Sequence, residues 1–548
     1  MCESRSLLLI IVVLTRSVFC VSAERPVDDL TNSIDARIIQ HQVIIRQRQD
    51  EIRRLKSERN ELAPISRLPA EVLGHIFGHI VAMDRLGGHR YLFTHVSQWW
   101  RATAIKDASL WTDIVFRNIN WVDIQLERSK GRGLSLYIEC PFPDFYRSLP
   151  RFRKFLDSSF SRVREFELVR GSELVIWSLF RDRIPATPNL QVLRFVRCAR
   201  FLDIVFKETV ELRRLETIGV DWNWTKQQLN SVTYLKIHGI DYPFRPSWFE
   251  FFAALRRMPA LETLDLMDSL PAVSPNDSNG SANEVTLPKL RTLRLKGGMQ
   301  ELSKVVSSFS LPSSTRLKFV CWGISSYVNE ISTLLAVLTK RRHDRAYRAL
   351  SVTGYERYGL RLRAWKDTRS QYIAEADFSI DLKLDPQAPN SSANLLKKLC
   401  SLLPLQDIRT VSLGAPRIRH KTLVQTLGRL PMLKWVHVIG EGSDHLISSL
   451  THKPRDSDTA QDKIPSVAFP ALRSLWIDKA SFNMTNECGV DIFTLQDCLI
   501  QRRKLGVPLK KLVLTRCTSL DPEEVDLLDD VLDDVYWDGN DVETSDEE

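Results

Sequence analysis

The chain has 548 residues and a net charge of +9, with 43% hydrophobic and 26% charged residues. This length is too great for one ordinary globular core, so we expect several domains or one elongated repeat array. The composition excludes an intrinsically disordered protein, and nine cysteines without a Cys-x-x-Cys pair exclude a zinc ribbon or a dense disulfide framework.

An apolar segment, residues 1–30, opens the chain. Its apolar core, Leu7–Leu14, lies behind Arg5 and ahead of a small-residue stretch that ends at Ala23. This pattern resembles a secretory signal peptide and is too short for a membrane span. The segment therefore has two interpretations, a signal peptide or an extension upstream of the true start of the protein.

Residues 31–63 are predicted to form an amphipathic helix of coiled-coil type that ends at Pro64. Among Arg, Gln and Glu residues, apolar side chains recur at heptad-related positions: Ile34, Ile38, Ile45, Ile52, Leu55 and Leu62. Fewer than four clean heptads give little support for dimerisation. We expect this helix to pack against the segment that follows it.

Residues 64–116 carry an ordered set of motifs. Pro69 can begin a helix because its missing N–H costs nothing there, and Glu71 suits the positive end of the helix dipole. Apolar residues then recur at spacings of three to five: Leu68, Val72, Leu73, Ile76, Phe77 and Ile80. A helical unit of this size cannot bury so broad a face within itself, so the face needs a partner.

The second half of this segment contains Val96, Trp99-Trp100-Arg101 and Leu110-Trp111. The order Leu-Pro, Glu, Ile-Phe, Trp-Arg, Leu-Trp resembles the F-box of fungal proteins, with Ser97 where Cys is frequent in that family. The resemblance implies docking onto the Skp-type adaptor of a cullin-type ubiquitin ligase. The residues that it implies for this contact are Leu68, Pro69, Glu71, Val72, Leu73, Ile76, Phe77, Val96, Trp99, Trp100, Leu110 and Trp111.

Residues 117–520 contain repeated Leu-x-x-Leu-x-Leu units. Their clearest starts are Val163, Leu190, Leu215, Val232, Leu261, Leu290, Ile408, Leu433, Leu472 and Leu509. The step from Leu215 to Val232 is short, which puts one of these two starts in doubt. Such units predict short strands whose inward side chains stack on the next repeat, with helical segments before many of them.

The predicted fold class is therefore α/β, an N-terminal helical F-box followed by an irregular leucine-rich-repeat solenoid of parallel strands and helices. Three residues stand eight positions after the start of their unit, Cys198, Asn223 and Cys517. We expect them to point inward beneath the strands, which gives the two cysteines a structural role.

Charge is concentrated in two places. Basic residues gather near residue 345, and Arg341, Arg342, Arg345 and Arg348 are the predicted substrate-binding residues, because Arg suits bidentate contact with phosphate. A solvated helix face is the alternative interpretation. From Asp521 to Glu548 there are fourteen acidic residues and no basic ones, and this predicts a solvated, disordered tail over 521–548.

The chain contains no dinucleotide fingerprint, phosphate loop, nucleophile elbow or metal-ligand cluster. We therefore predict no enzyme activity, cofactor, metal site or small-molecule substrate, and no membrane association. The resemblance implies a cytoplasmic or nuclear substrate receptor, with the Skp-type adaptor and cullin scaffold as partners and an acidic or phosphorylated protein as target. Two alternatives stay open, a secreted leucine-rich-repeat binding protein and an arginine-rich nucleic-acid-binding protein.

Overall fold

The structure is a computed structural model. It describes residues 25–85, 90–116, 119–140, 145–180, 188–199, 211–221, 224, 229–272, 284–324, 331–335, 346–355, 359–369, 374–384, 391–414, 418–440, 442–450, 467–482 and 490–539. The chain divides into two compact units. Met1–Thr112 with Ile124–Arg132 form the helical unit, and Asp113–Asp123 with Gly133–Glu548 form the sheet unit.

Among its described residues, the helical unit contains the helices α1 (Arg25–Glu61), α2 (Ala70–Met83) and α3 (Gln98–Lys106), and it includes the end of a further helix from Ile124 to Arg128. Pro69 is the N-terminal cap residue of α2, and the Ser97 hydroxyl caps α3 by accepting a hydrogen bond from the Trp100 N–H at 3.1 Å. Short 3₁₀ turns connect and follow the helices: Pro64–Arg67, Leu92–His95 and Ala108–Trp111. None of the helices in the described ranges is long and apolar enough to cross a membrane.

The sheet unit is built on a 17-stranded sheet and a separate two-stranded pair. The strands are β1 (Asp113–Val115), β2 (Leu134–Glu139), β3 (Val163–Val169), β4 (Val192–Val196), β5 (Arg214–Ile218), β6 (Tyr234–His238), β7 (Thr263–Met267), β8 (Val285–Thr286), β9 (Thr292–Gly298), β10 (Phe309–Ser310), β11 (Arg316–Ile324), β12 (Ala349–Tyr355), β13 (Gly359–Trp365), β14 (Phe378–Leu384), β15 (Thr410–Gly414), β16 (Trp435–Ile439), β17 (Ser474–Asp478), β18 (Lys511–Thr515) and β19 (Val535–Trp537).

Most neighbours in the large sheet are parallel and follow chain order. From β1 to β7, and from β15 to β19, each strand pairs in parallel with the next. The middle departs from this rule, because β9 pairs with β11 and β11 with β14, while β14, β13 and β12 are joined by antiparallel pairing before β12 meets β15. Strands β8 and β10 form the separate pair.

Helices connect many of these strands. They are α4 (Ile119–Arg128), α5 (Phe145–Ser159), α6 (Glu173–Phe180), α7 (Trp248–Arg256), α8 (Met299–Ser307), α9 (Ser391–Leu402), α10 (His420–Gln425), α11 (Ser443–Leu450), α12 (Ile492–Lys504) and α13 (Pro522–Asp529). A large, mostly parallel sheet with helices confirms the α/β class.

Inward side chains of successive strands lie side by side and form the core of the sheet unit. Leu193, Leu215, Leu235, Leu264 and Leu293 are partners in register on β4, β5, β6, β7 and β9, and each is at most 1% exposed. A five-residue strand buries few atoms within itself, so each strand depends on its neighbours for the burial of its apolar side chains.

The register of the strands corrects one repeat start. Leu190, Val232 and Leu261 each lie two residues before a strand, whereas Leu215 lies inside β5. The equivalent position of that repeat is Leu212, which is 1% exposed. The prediction at Leu215 is therefore wrong by three residues, because an Leu-x-x-Leu spacing matches either leucine of the pair.

The backbone turns in the same way after eight of the strands. The residue that follows each of β3, β4, β5, β6, β7, β16, β17 and β18 has a φ between +51° and +67°: Arg170, Arg197, Gly219, Gly239, Asp268, Gly440, Lys479 and Arg516. The N–H groups of the first seven donate to a carbonyl of the next strand, at 2.6 to 3.0 Å. The acceptor is the last residue of that strand in every case except Asp268, which donates to Lys296 within β9. This turn redirects the chain and continues the hydrogen-bonded ladder by one residue.

After three of these turns, a small side chain points inward and contacts a backbone carbonyl of the preceding strand. The Cys198 Sγ lies 3.3 Å from the Leu168 carbonyl, and the Cys517 Sγ lies 3.7 Å from the Ile477 carbonyl. The inward orientation predicted for both cysteines is confirmed. Ser269 holds the equivalent place and donates to the Ile237 carbonyl at 2.9 Å, while Asn223 lies outside the described residues.

The acidic tail begins later than predicted. Residues 521–539 contain α13 and β19, and β19 pairs in parallel with β18, so the prediction of disorder is wrong for this part. The Asp521 carboxylate caps α13, and Leu528 is fully buried. Apolar residues between the acidic ones thus anchor the helix, and residues 540–548 lie outside the described residues.

Two buried threonines predict opposite effects of the same substitution. The Thr217 hydroxyl is fully buried and has no hydrogen-bond partner in the described structure, whereas the Thr315 hydroxyl lies 2.7 Å from the Leu290 carbonyl. Thr217→Val should stabilise the protein by about 1 kcal/mol, and Thr315→Val should destabilise it by a similar amount. Urea unfolding midpoints at unchanged m-value measure both, and equal shifts of the same sign would contradict this account.

Candidate functional site

Aromatic rings form the core of the helical unit. Phe77 on α2 stacks on Phe93 with ring centroids 4.3 Å apart, and its ring lies 5.2 Å from that of Trp100 on α3. Trp111 stacks on Tyr91 at 4.8 Å. The two predicted halves of the motif are therefore joined through their aromatic side chains.

In addition to its stacking on Tyr91, Trp111 makes a hydrogen bond and a cation–π contact. Its indole N–H donates to the Ala104 carbonyl at 2.8 Å, and the Arg128 guanidinium lies 4.4 Å from the centre of its ring. The neighbouring Tyr91 hydroxyl accepts a hydrogen bond from Gln125 at 2.8 Å. Burial lowers the pKa of the Arg128 guanidinium from its usual value, and the positive charge of Arg101 lowers it further. Glu127 and Tyr91 oppose this shift in part.

The structure divides the predicted adaptor-binding residues into three groups. Leu73, Phe77, Leu110 and Trp111 are at most 3% exposed, so they hold the helical unit together and cannot reach a partner. Leu68, Ile76 and Trp100 are half-buried. The exposed members are Pro69, Glu71, Val72, Val96 and Trp99.

The exposed group contains large apolar side chains. Val72 is 41% exposed, Val96 53% and Trp99 46%. Single accessible side chains of this size are common, and three of them in one small helical unit are candidates for an interaction surface. Leu68, Pro69, Val72, Ile76, Val96 and Trp99 are accessible apolar members of the set predicted to bind the adaptor, and we refer to them together as the adaptor surface.

Helix α1 does not pack as predicted. Its side chains from Asp29 to Lys56 are all exposed, including Ile38 at 48%, Ile45 at 54% and Ile52 at 51%. The expectation that this helix packs against the following segment is therefore wrong. The heptad side chains are therefore not covered by the rest of the described helical unit.

The predicted basic substrate site falls mostly outside the described residues. Arg341, Arg342 and Arg345 belong to that part of the chain. Arg348 is exposed, and its backbone N–H donates to the Trp365 carbonyl at 2.8 Å. One described arginine is not sufficient to define a substrate-binding site.

The outward face of the large sheet carries a row of alternating charges. In register from β3 to β11 the row reads Glu167, Arg194, Glu216, Lys236, Asp265, Arg294 and Lys318. Arg194 lies 3.3 Å from Glu216, and Arg294 lies 3.8 Å from Asp265. Burial alone would raise the pKa of the Glu216 carboxyl. The hydrogen bonds and positive charges of Arg214 and Arg194 outweigh burial and hold this pKa below its usual value.

The alternation ends in a basic pocket. Arg294 and Lys318 are adjacent cations, and with Arg316 and Arg363 they line a pocket of about 330 Å³ over β9, β11, β13 and β14. Arg316, Lys318 and Arg363 are exposed. Glu375 also lines the pocket, and its carboxylate accepts a hydrogen bond from Arg294 at 2.9 Å.

A second polar cluster, on β16 to β18, is held by internal hydrogen bonds, although the buried His437 Nε2 has no hydrogen-bond partner in the described structure. Asp478 accepts hydrogen bonds from Thr515 at 2.9 Å and from Arg516 Nε at 2.8 Å, and His437 stacks on Trp476 at 4.0 Å. Burial raises the pKa of the Asp478 carboxyl, but these hydrogen bonds outweigh it and keep the pKa below its usual value. This cluster has the character of a structural network.

Sequence analysis did not identify the basic pocket. Its signal was the alternation Arg316-Leu317-Lys318-Phe319, which places two cations on one face of a strand. The contribution of Arg363 could not be inferred in the same way, because it depends on the antiparallel pairing of β13 with β14.

The aromatic core predicts which substitutions unfold the helical unit. Phe77→Ala should destabilise this unit by about 3–5 kcal/mol, because it removes a fully buried ring between Phe93 and Trp100. Trp99→Ala should change stability by less than about 1 kcal/mol, since this side chain is half exposed. Hydrogen exchange of the α2 amides measures both, and full protection in Phe77→Ala would contradict the assignment.

Sequence comparisons with known proteins assign no function to this site. No protein-family model matches the chain, and no curated protein matches it significantly.

Proposed function

We propose that the chain is an F-box substrate receptor of a cullin-RING ubiquitin ligase of the SCF type. The observation that carries the proposal is the adaptor surface, which presents Val72, Val96 and Trp99 to solvent around a tightly packed aromatic core. The motif order that resembles an F-box thus coincides with a helical unit that has both a core and an uncovered apolar surface.

The chemistry of the adaptor surface fits a protein partner. Burial of apolar side chains on association is favourable by roughly 25 cal/mol per Å² of apolar surface, and an exposed Trp is a frequent centre of binding energy. Pro69 and Val72 lie at the start of α2, and Val96 and Trp99 lie at the start of α3. A Skp-type adaptor that covers both helix starts would bury these side chains together.

We further propose that the sheet unit is an irregular leucine-rich-repeat solenoid that holds the target protein. Support comes from the parallel strand order, the stacked leucine rows and the recurring left-handed turn. The mechanism is proximity, since a target held beside the ubiquitin-loaded ligase experiences a high effective concentration of the reactive group. No residue of this chain performs chemistry in this mechanism.

The proposal places the protein in the cytoplasm or nucleus, where a cullin scaffold and its adaptor operate. The apolar residues on which the secreted alternative rests lie within 1–24, outside the described residues.

Substitutions on the adaptor surface test the proposal directly. Full-length protein should capture the Skp-type adaptor, and the double variant Leu68→Ala, Pro69→Ala and the single variant Trp99→Ala should each weaken capture at least tenfold. The reason is that truncation of a central apolar contact commonly costs about 2 kcal/mol or more of binding energy. Surface plasmon resonance with immobilised adaptor measures the affinities.

Phe249→Ala is the matched control, because Phe249 is 75% exposed and belongs to the sheet unit. This variant should bind the adaptor like the unmodified protein. Failure of the unmodified protein to bind, or equal losses in Phe249→Ala and Trp99→Ala, would overturn the proposed receptor role.

A further inference from the structure

We propose that the basic pocket is an anion subsite that binds a phosphorylated side chain of a target protein. This inference deepens the proposed function, on which it rests, by naming the chemical class that the sheet unit recognises. The pocket-lining residues that carry the argument are Arg294, Arg316, Lys318, Arg363, Glu375 and Ser379.

Strand register brings the cations to one place. Lys318 on β11 is the partner of Ser379 on β14, and Ser379 is the partner of Arg363 on β13. Neighbouring strands are about 4.8 Å apart, so two long cationic side chains flank a short hydroxyl side chain across about 10 Å. Arg316 precedes Lys318 by two residues and therefore lies on the same face of β11.

Three of the four cations of the pocket are not neutralised by the described part of the protein. In the described part of the chain, Arg316, Lys318 and Arg363 have no ion-pair partner, whereas Arg294 shares Asp265 and Glu375. Elsewhere on this face Arg194, Arg214 and Arg361 are each paired with a carboxylate. Unpaired cations gathered in a concavity attract a mobile anion.

The charge of the site favours a phosphoryl group over a carboxylate. Glu375 shows that a carboxylate fits against Arg294, but one carboxylate leaves three cations unmatched. A phosphorylated side chain carries about −1.5 to −2 charge and three acceptor oxygens, and Arg binds such oxygens in a bidentate manner. The volume of about 330 Å³ is at the lower end for a small-ligand pocket and suits one side chain.

The surroundings favour a protein target over a nucleic acid. A nucleic-acid backbone needs a continuous basic track, but acidic residues alternate with basic ones in the row that leads from β3 to the pocket. Within this row, Arg294 and Lys318 are the only neighbouring cations with no acidic residue between them. A single phosphorylated residue on a peptide matches this local site.

Affinity selection with full-length protein tests the inference. The probes are a degenerate peptide library with a central phosphoserine, the same library with serine, and a twelve-nucleotide single-stranded RNA. We expect enrichment of the phosphoserine library alone, and the double variant Lys318→Ala, Arg363→Ala should reduce its capture at least tenfold, since each charge-assisted contact is strong. Glu375→Gln should increase capture, because it removes the competing carboxylate.

Arg291→Ala is the matched control, since Arg291 is 78% exposed and paired with Glu262 outside the pocket. It should bind the phosphoserine library normally. No preference for phosphoserine, equal loss in the control, or capture of RNA without phosphopeptide would overturn the inference. Adaptor binding is measured separately, so an adaptor-binding protein that ignores phosphoserine overturns the pocket alone, and the reverse result overturns the receptor role alone.

A different observation carries a second inference. We infer that α1 forms a parallel coiled coil with a second copy of this chain. Helix α1 has 37 residues and is about 55 Å long, and its heptad side chains Ile38, Ile45 and Ile52 are about half exposed. A helix gains most of its stability from packing of an apolar face, which the described helical unit does not provide.

The sequence of α1 fits a second copy as the occupant. Ile38, Ile45 and Ile52 take the a positions, and Ile34, His41, Arg48 and Leu55 take the d positions. Isoleucine at a with leucine at d favours two-stranded coiled coils, whereas the polar His41 and Arg48 lower the stability of the pair. In a parallel pair Glu51 at g lies opposite Lys56 at e of the other copy, with opposite charges. Residues 25–62 carry eight basic and seven acidic side chains, so two copies meet without net repulsion.

Sedimentation equilibrium of full-length protein tests this pairing. We expect a mass of twice the 63.1 kDa of one chain at micromolar concentration, and a monomer for the double variant Ile45→Asp, Ile52→Asp. The matched control is Ile39→Asp, Val43→Asp, because these side chains are 60% and 50% exposed but lie outside the a and d positions. A monomeric unmodified protein, or equal dissociation of the control, would overturn the pairing.

Discussion

Burial of each strand's inward side chains by the neighbouring strand is the constraint on which the sheet unit depends. Leu193, Leu215 and Leu235 are fully covered only because they lie in register on consecutive parallel strands. The left-handed turn that follows these strands maintains the register, since its N–H donates to the next strand. Apolar burial and backbone hydrogen bonding thus demand the same alignment, and a shift by one residue would break both.

The same constraint leaves the other face of the sheet free to vary. Side chains alternate between faces, so residues such as Arg194 and Asp265 do not contribute to the apolar core and can form ion pairs across strands. The alternation of charge ends where the strand order also departs from chain order, at β11, β14 and β13. The basic pocket is a product of that irregularity, because Lys318 and Arg363 flank Ser379 there without an intervening carboxylate.

The predictable part of the fold was the part that local periodicity encodes. The Leu-x-x-Leu-x-Leu units located β3 to β7, β9 and β15 to β18, and the inward places of Cys198 and Cys517 followed from a fixed offset. The same offset from Leu261 reaches Ser269, which sequence analysis overlooked because Ser is not the usual residue there. The error at Leu215 arose because periodicity defines the spacing of leucines but not which of them enters the strand.

The density of acidic residues did not predict correctly where the ordered part of the chain ends. Residues 521–539 are strongly acidic, yet their apolar side chains pack, and a carboxylate cap and a parallel strand pairing hold them in place. A few buried side chains such as Leu528 stabilise this segment by local packing. A count of acidic residues cannot predict that packing. Composition therefore located the tail but could not place its boundary.

The helical unit shows why a motif does not by itself define a binding surface. The residues that make the segment resemble an F-box include Phe77 and Trp111, which are fully buried, and Val96 and Trp99, which are half exposed. A linear motif records both kinds because both are needed, the first to form the unit and the second to contact a partner. Only burial separates them. Loss of adaptor binding in a Phe77 variant would reflect unfolding, whereas loss in a Trp99 variant would report on the contact itself, and the function of this chain depends on the second result.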